Sequence, residues 1–397
     1  MSKKRLLFVI ESLNSAGAEK SLITLLSVLD YSRYEVDLQL FSYGGAFQRY
    51  LPPEVHLLPA FNYTDFAEKS VWEQIASADF RKLRARSAYS ILMRLHRTTH
   101  ADKARIFWKH VSPCLPGNLV EYDAAIAYSQ GLPTFYVAEK VKARRKMAWV
   151  NVGYKLEGKN ALFQEPFYQQ MDHIVAVSTS ALSIFQEVFP KSSDKMTVIW
   201  DMLDAKTIRN MASEKPPFPF SQDIPSLLTI ARLNSAQKGY DIALEACRIL
   251  RDRGVPFKWY ALGEGPYRKE METFIRENRL EDSFVLLGTT PNPYPYIDAC
   301  TLYVQTSRHE GFGLAIAEAR ILNKPVVTTE FDAVYNQMRP GKNGLVVSQT
   351  PVAVADAIER LLKDKQLYAS LVDNLQKEKK GNTEEIEKLY RLIEYTE

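Results

Sequence analysis

The alternation of apolar, strand-like runs with amphipathic helical segments limits how this chain can fold more than any other feature. In the first half the β-rich runs are RLLFVI, EVDLQLFS, DAAIAYS, KMAWVNV, HIVAVS and MTVIW. In the second half they are SLLTIARL, FKWYALG, FVLLG, TLYVQTS, PVVTT and GLVVS. Strands that are apolar on both faces and separated by amphipathic helices indicate parallel sheets covered on both sides. Two such series predict an α/β chain with two doubly wound, Rossmann-like domains.

The break between the two series lies at residues 201–223, which are polar, contain three prolines and lack a strand pattern. We therefore predict domains over residues 1–200 and 201–382. This division suits a chain of 397 residues, which is too long for one ordinary core. The segment 383–397 is typical of a final amphipathic helix.

Composition indicates a soluble globular protein of the cytoplasm. The hydrophobic fraction is 46% and the charged fraction 25%, and no apolar run approaches the ~18 residues needed to span a bilayer. The N-terminal MSKKRLLFVIESL has a basic start but a short apolar stretch and no small-residue cleavage site, so it predicts a first strand rather than a signal peptide. Three widely spaced cysteines argue against a disulfide framework and fit a reducing compartment.

Residues 81–110 form a basic segment with nine Lys or Arg and a single acid, Asp102. Aromatic and aliphatic residues, including Phe107 and Trp108, are interleaved with these cations. One interpretation is a surface that lies on anionic lipid headgroups. The other is a solvated helix face whose apolar side belongs to the core. Nucleic acid is not expected as a partner, because no recognition motif accompanies the charge.

Ligands of open α/β sheets lie beyond the carboxyl ends of the strands, so the strand-to-helix loops are where chemistry is expected. Arg232 and Lys238 bracket the loop after SLLTI, and Gly239 stands at the entry to the next helix. Two cations beside a helix N-terminus can neutralise a diphosphate, although solvated loop charges are the alternative. Gly263 ends the strand FKWYA in a second loop of this kind.

Two carboxylates, Glu310 and Glu318, flank the most unusual of these loops. Glu310 follows the strand TLYVQTS, Gly311 and Gly313 turn into the helix LAIAEARIL, and Glu318 lies one to two turns inside that helix. At a helical rise of about 1.5 Å per residue, the two carboxylates lie too far apart to act together as a catalytic dyad. Each could instead hold a different part of one extended ligand. In the alternative, Glu310 caps the helix and Glu318 faces solvent.

Five stretches, in this order, resemble glycosyltransferase family 4, whose members are retaining enzymes of the GT-B fold. They are NSAGAEKS, ARLNSAQKGYD, LGEGPYRKEM, VQTSRHEGFGLAIAEA and KNGLVV, and they span nearly the whole chain. The resemblance implies two Rossmann-like domains that face each other across a deep cleft. It also implies that the C-terminal domain binds a nucleotide-diphosphate sugar, that the N-terminal domain binds the acceptor, and that the last helix packs back onto the N-terminal domain.

The resemblance also implies roles for individual residues. Arg232 and Lys238 match the pair that stabilises the leaving diphosphate, and Glu310 matches the acid near the donor sugar. Glu318 matches the acid that accepts hydrogen bonds from the ribose hydroxyls. The other positions that match donor-binding glycines and backbone amides are Gly17, Gly263, Gly311, Phe312 and Gly313.

The N-terminal domain departs from the family pattern. Asn151 stands where many members carry a histidine near the donor sugar, and an amide cannot take up a proton at neutral pH. Ala16 stands where a second glycine is frequent, and IWDMLD replaces the usual asparagine-glycine stretch. We assign Ser129 and Asn151 to the acceptor side.

The predicted function is a retaining hexosyltransferase that moves a sugar from a UDP-sugar to a lipid-linked glycan acceptor in surface polysaccharide biosynthesis. No two aspartates are two residues apart, so we expect no metal clamp on the diphosphate and no cofactor beside the donor substrate. We expect the enzyme on the inner face of the cell membrane, held there through segment 81–110. The alternatives are a degenerate homologue that binds without catalysis, and a dinucleotide oxidoreductase, for which the Gly-x-Gly-x-x-Gly turn is missing.

Overall fold

The computed structural model describes residues 3–14, 17–77, 79–95, 99–153, 156–216, 218–220 and 223–394. Ser15 and Ala16 of the first loop and residues 96–98 of the basic segment lie outside the described residues. The chain divides into two compact units. The first unit is Met1–Trp200 with Glu384–Glu397, and the second unit is Asp201–Thr383.

The first unit is built on a parallel sheet with the strand order β3-β2-β1-β4-β5-β6-β7. Its strands are β1 (Lys4–Ile10), β2 (Tyr34–Leu40), β3 (Val55–Leu57), β4 (Asn118–Ala127), β5 (Val141–Val150), β6 (His173–Ala176) and β7 (Met196–Val198). Its helices up to this point are α1 (Gly17–Val28), α2 (Asn62–Glu68), α3 (Val71–Ala76), α4 (Phe80–Leu95), α5 (His100–Val111), α6 (Leu132–Lys140), α7 (Gly158–Gln169) and α8 (Thr179–Val188).

The second unit has a parallel sheet with the strand order β10-β9-β8-β11-β12-β13. Its strands are β8 (Ser226–Ile230), β9 (Lys258–Leu262), β10 (Phe284–Gly288), β11 (Leu302–Gln305), β12 (Val326–Thr329) and β13 (Gly344–Val347). Its helices are α9 (Ala205–Ala212), α10 (Ser235–Lys238), α11 (Tyr240–Asp252), α12 (Arg268–Glu277), α13 (Tyr294–Ala299), α14 (Leu314–Ile321), α15 (Pro351–Lys363) and α16 (Lys365–Lys377).

Both sheets are covered on their two faces, as the continuous apolar runs predict. Leu6, Leu7 and Phe8 of β1 have no exposed surface, and neither do Leu227 and Leu228 of β8. In each sheet the strand order reverses once, between β1 and β4 in the first unit and between β8 and β11 in the second. The crevice at the carboxyl ends of such a pair is where open α/β sheets bind ligands. Ligand-binding residues are therefore expected in the loops after these four strands.

The last described helix, α17 (Ile386–Glu394), packs against the first unit. The rings of Tyr34 and Tyr390 stack with centroids 5.4 Å apart, and the Asp30 backbone N–H donates to the Tyr390 hydroxyl at 2.8 Å. Glu394 accepts hydrogen bonds from Arg33 and from the Tyr34 hydroxyl. Residues far apart in the sequence thus complete one compact unit.

The basic segment 81–110 divides between two helices with different environments. In α5, Ala104, Ile106 and Trp108 are buried, and the Trp108 indole N–H donates to Glu139 at 3.0 Å. For α5 the second interpretation of this segment is therefore correct, because its apolar side belongs to the core. No helix among the described residues is both long and apolar enough to cross a bilayer.

Candidate active site

Lys238 and Glu310 meet at the carboxyl edge of the second sheet, where the strand order reverses. Lys238 ends α10 after β8, and Glu310 lies in the loop after the neighbouring strand β11. The Lys238 ammonium donates to both carboxylate oxygens of Glu310, at 2.7 and 2.8 Å. Only 17% and 9% of the two side chains are exposed, so solvent screens this pair weakly. Two residues that the sequence places in separate loops thus form one ion pair.

Two further side chains of β11 and its loop fix the Glu310 carboxylate. Gln305 and Ser307 are buried and donate to Glu310 Oε1 at 2.5 and 2.7 Å. Gln305 is oriented in turn by the Tyr303 hydroxyl, which donates to its amide oxygen at 2.7 Å. Sequence analysis did not single out Gln305 or Ser307, although polar residues at the end of an apolar strand were an available signal. The helix-capping alternative for Glu310 is wrong, because its partners are side chains and Gly313 is the N-cap of α14.

Arg308 holds the α10 turn in place beside this pair. Its guanidinium donates to the two carboxylate oxygens of Asp241 at 2.9 and 2.7 Å and to the Ser235 carbonyl at 2.6 Å. Its backbone N–H donates to the Gln237 carbonyl at 2.8 Å. Burial alone would raise the pKa of Asp241, but the hydrogen bonds from Arg308 bring this pKa below its ordinary value. Arg308 therefore positions the turn that presents Lys238.

Gly239 makes the close approach of this turn to β11 possible. Its φ is +63°, and a Cβ at this position would lie 2.0 Å from the Thr306 carbonyl oxygen. The Thr306 hydroxyl also donates to the Lys238 carbonyl at 3.1 Å. Because glycine alone combines this backbone angle with the missing Cβ, Gly239 fixes the distance between Lys238 and the end of β11.

We expect Gly239→Ala to lower the free energy of unfolding by about 1–3 kcal/mol more than Gly254→Ala does. Gly254 is the matched control, since its φ is +69° and nothing lies within 4 Å of a Cβ built there. The difference between the variants isolates the collision with Thr306. Urea denaturation of both variants and the parent chain measures it, and equal losses would show that the turn can move away freely.

Gly263 serves the neighbouring loop in a similar way. Its φ is +152°, and a Cβ there would lie 2.0 Å from the Ala231 carbonyl oxygen. The loop after β9 therefore packs directly on the loop that carries Arg232. The Arg232 side chain is exposed and makes no ion pair with any other described residue. Glycine is thus required at position 263 because the two loops pack closely there. The Arg232 guanidinium remains accessible to a ligand.

Glu318 is buried in the second turn of α14, with 2% of its surface exposed. The alternative that places it in solvent is therefore wrong. The Tyr294 hydroxyl, which sequence analysis did not assign, donates to its Oε1 at 3.4 Å. Gly311, Phe312 and Gly313, which precede α14, are also buried. Because the first amides of a helix have no intrahelical acceptor, this segment presents backbone donors beside a buried carboxylate.

In the first unit, the predicted residues follow the three adjacent strands β1, β4 and β5, of which β1 and β4 flank the sheet's reversal point. Gly17 begins α1 after β1, Ser129 follows β4, and Asn151 follows β5. The Asn151 amide donates to the Tyr128 carbonyl at 2.7 Å. The Asn151 Oδ1 and Ser129 Oγ atoms are buried and have no hydrogen-bond partner among the described residues. Both atoms therefore have unused hydrogen-bonding capacity in the folded chain.

Two glutamates that sequence analysis missed lie at the same edge. Glu11 directly follows β1, and Glu19 lies in the first turn of α1. The Ser12 hydroxyl donates to Glu19 at 3.4 Å, and His100 Nε2 lies 3.8 Å from Glu11 Oε2. Burial raises the pKa of both carboxyls, and for Glu19, where the charge of Glu11 adds to the effect, the pKa rises to about 7.

The pKa of Glu19 predicts a pH-dependent stability. In the unfolded chain this carboxyl ionises near 4.5, whereas in the folded protein it keeps its proton up to about pH 7. The folded state therefore binds more protons across this window, and its stability falls as pH rises. We expect Glu19→Gln to be more stable than the parent chain by about 1–3 kcal/mol above pH 7 and equal to it below pH 4.5. Urea denaturation across this pH range measures the difference, and Glu68→Gln, at an exposed position, should show none.

Comparison with known proteins identifies the family of the second unit. Residues 211–378 match the family model described as Glycosyl transferases group 1. The second unit is a group 1 glycosyl transferase domain. The resemblance predicted from the sequence is thereby confirmed for the part of the chain that contains Lys238, Glu310 and Glu318.

Three curated relatives match part of the chain. Alpha-D-kanosaminyltransferase of Streptomyces kanamyceticus is 31% identical over 156 residues, 38% of this chain and 40% of the relative. The putative colanic acid biosynthesis glycosyltransferase WcaL of Salmonella typhimurium is 30% identical over 131 residues, 31% of this chain and 32% of the relative. The N-acetylgalactosamine-N,N'-diacetylbacillosaminyl-diphospho-undecaprenol 4-alpha-N-acetylgalactosaminyltransferase of Campylobacter jejuni is 27% identical over 163 residues, 41% and 42% of the two chains. The match thus spans less than half of each relative.

A solved structure extends the likeness to both units. HepE of Anabaena, in complex with UDP and glucose, matches with a TM-score of 0.69 at 18% identity and covers 98% of both chains. At this identity the likeness concerns the fold, and it confirms the predicted GT-B type with two Rossmann-like units. Within the group 1 domain, the exposed Arg232 guanidinium and the Lys238–Glu310 pair lie in the loops after β8 and β11, and the Glu318 carboxylate is buried in α14.

Proposed function

We propose that this chain is a retaining glycosyltransferase that moves a hexose from a UDP-sugar to a glycan acceptor in surface polysaccharide biosynthesis. The observation that carries the proposal is the partly buried Lys238–Glu310 pair at the reversal point of the group 1 domain sheet. Glu310 is held by three side chains, so its orientation is set before any ligand arrives. Such preorganisation is what catalysis by charge stabilisation requires.

In the proposed reaction, Lys238 and Arg232 face the diphosphate and stabilise the negative charge that develops as the bond from the sugar's anomeric carbon to the diphosphate oxygen breaks. The acceptor hydroxyl forms its new bond on the same face, and its proton passes to the departing phosphate oxygen. Glu318 accepts hydrogen bonds from the ribose hydroxyls, and amides before α14 contact the phosphates. Glu310 contacts the sugar and is not a nucleophile.

The acceptor is proposed to be a lipid-linked glycan, bound through Ser129 and Asn151 of the first unit. Two relatives support this, since one is named for colanic acid biosynthesis and another for transfer to a diphospho-undecaprenol-linked sugar. The buried, unpartnered oxygens of Ser129 and Asn151 suit hydroxyl recognition. With such an acceptor the enzyme would act in the cytoplasm, at the inner face of the cell membrane, which its basic helix α4 would contact.

A panel of nucleotide sugars measured by thermal shift tests the donor proposal directly. We expect UDP-sugars to raise the melting temperature more than GDP-, ADP- or dTDP-sugars do. The best UDP-sugar is then incubated with a polyprenyl-diphosphate-linked acceptor, and NMR of the product should show the donor's anomeric configuration. Stabilisation by NAD alone, or an inverted product, would contradict the proposal.

A degenerate homologue that binds nucleotide sugars without transfer is the second candidate, and Asn151 in place of a histidine is the observation that favours it. Slow hydrolysis of the bound donor separates the two functions. We expect the parent chain to hydrolyse the best UDP-sugar measurably faster than Glu310→Ala does. Equal and negligible hydrolysis by both would favour the binding protein.

Chelation of divalent metals should leave the transfer rate unchanged to within about twofold, because the proposed site neutralises the diphosphate with the cations of Lys238 and Arg232. The rate is measured in EDTA and again after addition of Mg²⁺ or Mn²⁺. A transferase with an Asp-x-Asp clamp, assayed in parallel, should lose its activity in EDTA. Loss of activity in the present protein that Mg²⁺ or Mn²⁺ restores would contradict metal independence.

A further inference from the structure

Helices α3 and α4 of the first unit expose large apolar side chains close together in the sequence. Trp72 is 81% exposed and Phe80 80%, and Ile75 and Ile91 are 53% and 56% exposed. Single exposed apolar residues are ordinary, but two largely exposed aromatic rings on consecutive helices indicate an interaction surface. Since five residues span at most about 18 Å, Ile75 and Phe80 must emerge near each other.

One side of α4 combines apolar and cationic residues. Phe80, Arg84, Ser87, Ile91 and Arg94 recur every three or four positions, so they share a face of the helix. All five are exposed. The helix is attached to the unit by its other side, where Ala85 is buried and Tyr89 packs edge-on against Phe107 with ring centroids 5.6 Å apart.

The cations on this exposed face are not neutralised within the described chain. Helix α4 contains five Lys or Arg and no acid. Arg84 and Arg94 make no ion pair with any described residue, whereas Lys82, on another side, pairs with Asp79 at 3.1 Å. The other basic stretch of this unit differs, since Arg144 pairs with Asp123 at 3.5 Å. The unneutralised charge thus lies on the same face as Phe80 and Ile91.

We propose that Trp72, Ile75, Phe80, Arg84, Ile91 and Arg94, the α3–α4 surface, dock on an anionic lipid bilayer. The aromatic and aliphatic side chains would enter the interface while the two guanidinium groups bind headgroup phosphates. The proposal rests on the proposed function, because a lipid-linked acceptor lies at such a surface. It keeps the part of the predicted segment 81–110 that lies in α4, adds Trp72, Ile75 and Phe80 before it, and excludes α5, whose apolar side is buried.

Flotation with vesicles tests this surface. We expect the parent chain to partition at least about tenfold more strongly onto phosphatidylcholine vesicles containing roughly 30% phosphatidylglycerol than onto pure phosphatidylcholine, and to be released at about 1 M salt. The double variants Trp72→Ser/Phe80→Ser and Arg84→Glu/Arg94→Glu should each lose at least about tenfold in partitioning.

Two matched controls use exposed residues elsewhere on the first unit. Leu119→Ser/Leu162→Ser removes side chains that are 90% and 72% exposed, and Lys142→Glu/Arg144→Glu reverses charges in the other basic stretch. Both should bind vesicles as the parent chain does. Equal losses in the controls would overturn the assignment to α3–α4. If the Trp72 and Phe80 variant changed the oligomeric state in light scattering but not vesicle binding, the surface would be a contact between protein copies.

Stabilisation by the best UDP-sugar is measured on every variant, so that failure of docking and failure of the proposed function remain distinct. If a UDP-sugar stabilises the parent chain but the chain binds no vesicles, the docking proposal is overturned and the proposed transferase function is unaffected. If the parent chain binds anionic vesicles but no nucleotide sugar stabilises it, the proposed function is overturned and the docking proposal is unaffected.

Discussion

Lys238→Met should lower kcat/KM for sugar transfer by about 10²- to 10³-fold, the loss seen when a fixed group that stabilises transition-state charge is removed. Methionine keeps much of the length of the lysine side chain but none of its charge. In the proposed reaction the ammonium acts on the leaving diphosphate, so kcat should fall with kcat/KM. Steady-state kinetics with the best UDP-sugar measure both parameters.

The same substitution also removes the ion-pair partner of Glu310, and a double-mutant cycle separates this effect from the first. In the parent chain Lys238 contacts the Glu310 carboxylate at 2.7 and 2.8 Å. In the Glu310→Gln chain a neutral amide replaces that carboxylate. Lys238→Met should still cost at least about tenfold in kcat in that background if the ammonium acts on the diphosphate. If its effect disappears there, Lys238 serves only to orient Glu310.

Glu318→Met should raise KM for the UDP-sugar by about 10- to 100-fold, because each hydrogen bond from a ribose hydroxyl to the carboxylate is worth about 1.5–3 kcal/mol. The variant should unfold at a urea concentration close to that of the parent chain, because removing a carboxylate that is 2% exposed relieves its desolvation and offsets the loss of the 3.4 Å hydrogen bond from the Tyr294 hydroxyl. Loss of donor affinity without loss of stability would mark a binding residue.

A comparison of UDP with 2′-deoxy-UDP assigns this loss to the ribose. The parent chain should bind UDP about tenfold or more tightly than the deoxy ligand, and Glu318→Met should bind the two equally. Calorimetric titration measures all four affinities. A variant that still prefers UDP to the same degree would show that Glu318 does not contact the 2′-hydroxyl.

The fold was predictable because its signal is local and repeated. Each run such as RLLFVI or TLYVQTS is apolar on both faces, so a parallel sheet covered by helices follows from the pattern of residues alone. The sequence also predicted that Lys238 and Glu310 lie in strand-to-helix loops, which open at the carboxyl edge of such a sheet. It did not predict the ion pair between them, because that pair depends on β8 and β11 being neighbours in the sheet although they are not consecutive along the chain.

Other contacts were not predictable, because they depend on burial and on partners distant in the sequence. The spacing of α14 does not show that Glu318 is buried, since a glutamate at that position faces solvent in most amphipathic helices. Nothing near Arg308 in the sequence identifies Asp241 as its partner. Likewise, the raised pKa of Glu19 follows from burial and from the charge of Glu11, and neither is visible in the motif that contains it.

The contacts of α17 with the first unit bear on the order in which the protein folds during synthesis. Residues 384–397 belong to the first unit but follow the whole of the second along the chain. The Trp200 backbone N–H donates to Glu385 at 3.0 Å, so the end of the first unit's main segment also depends on this late segment. Because domains emerging from the ribosome fold as they are completed, the second unit can reach its final structure before the first, which must wait for its closing helix.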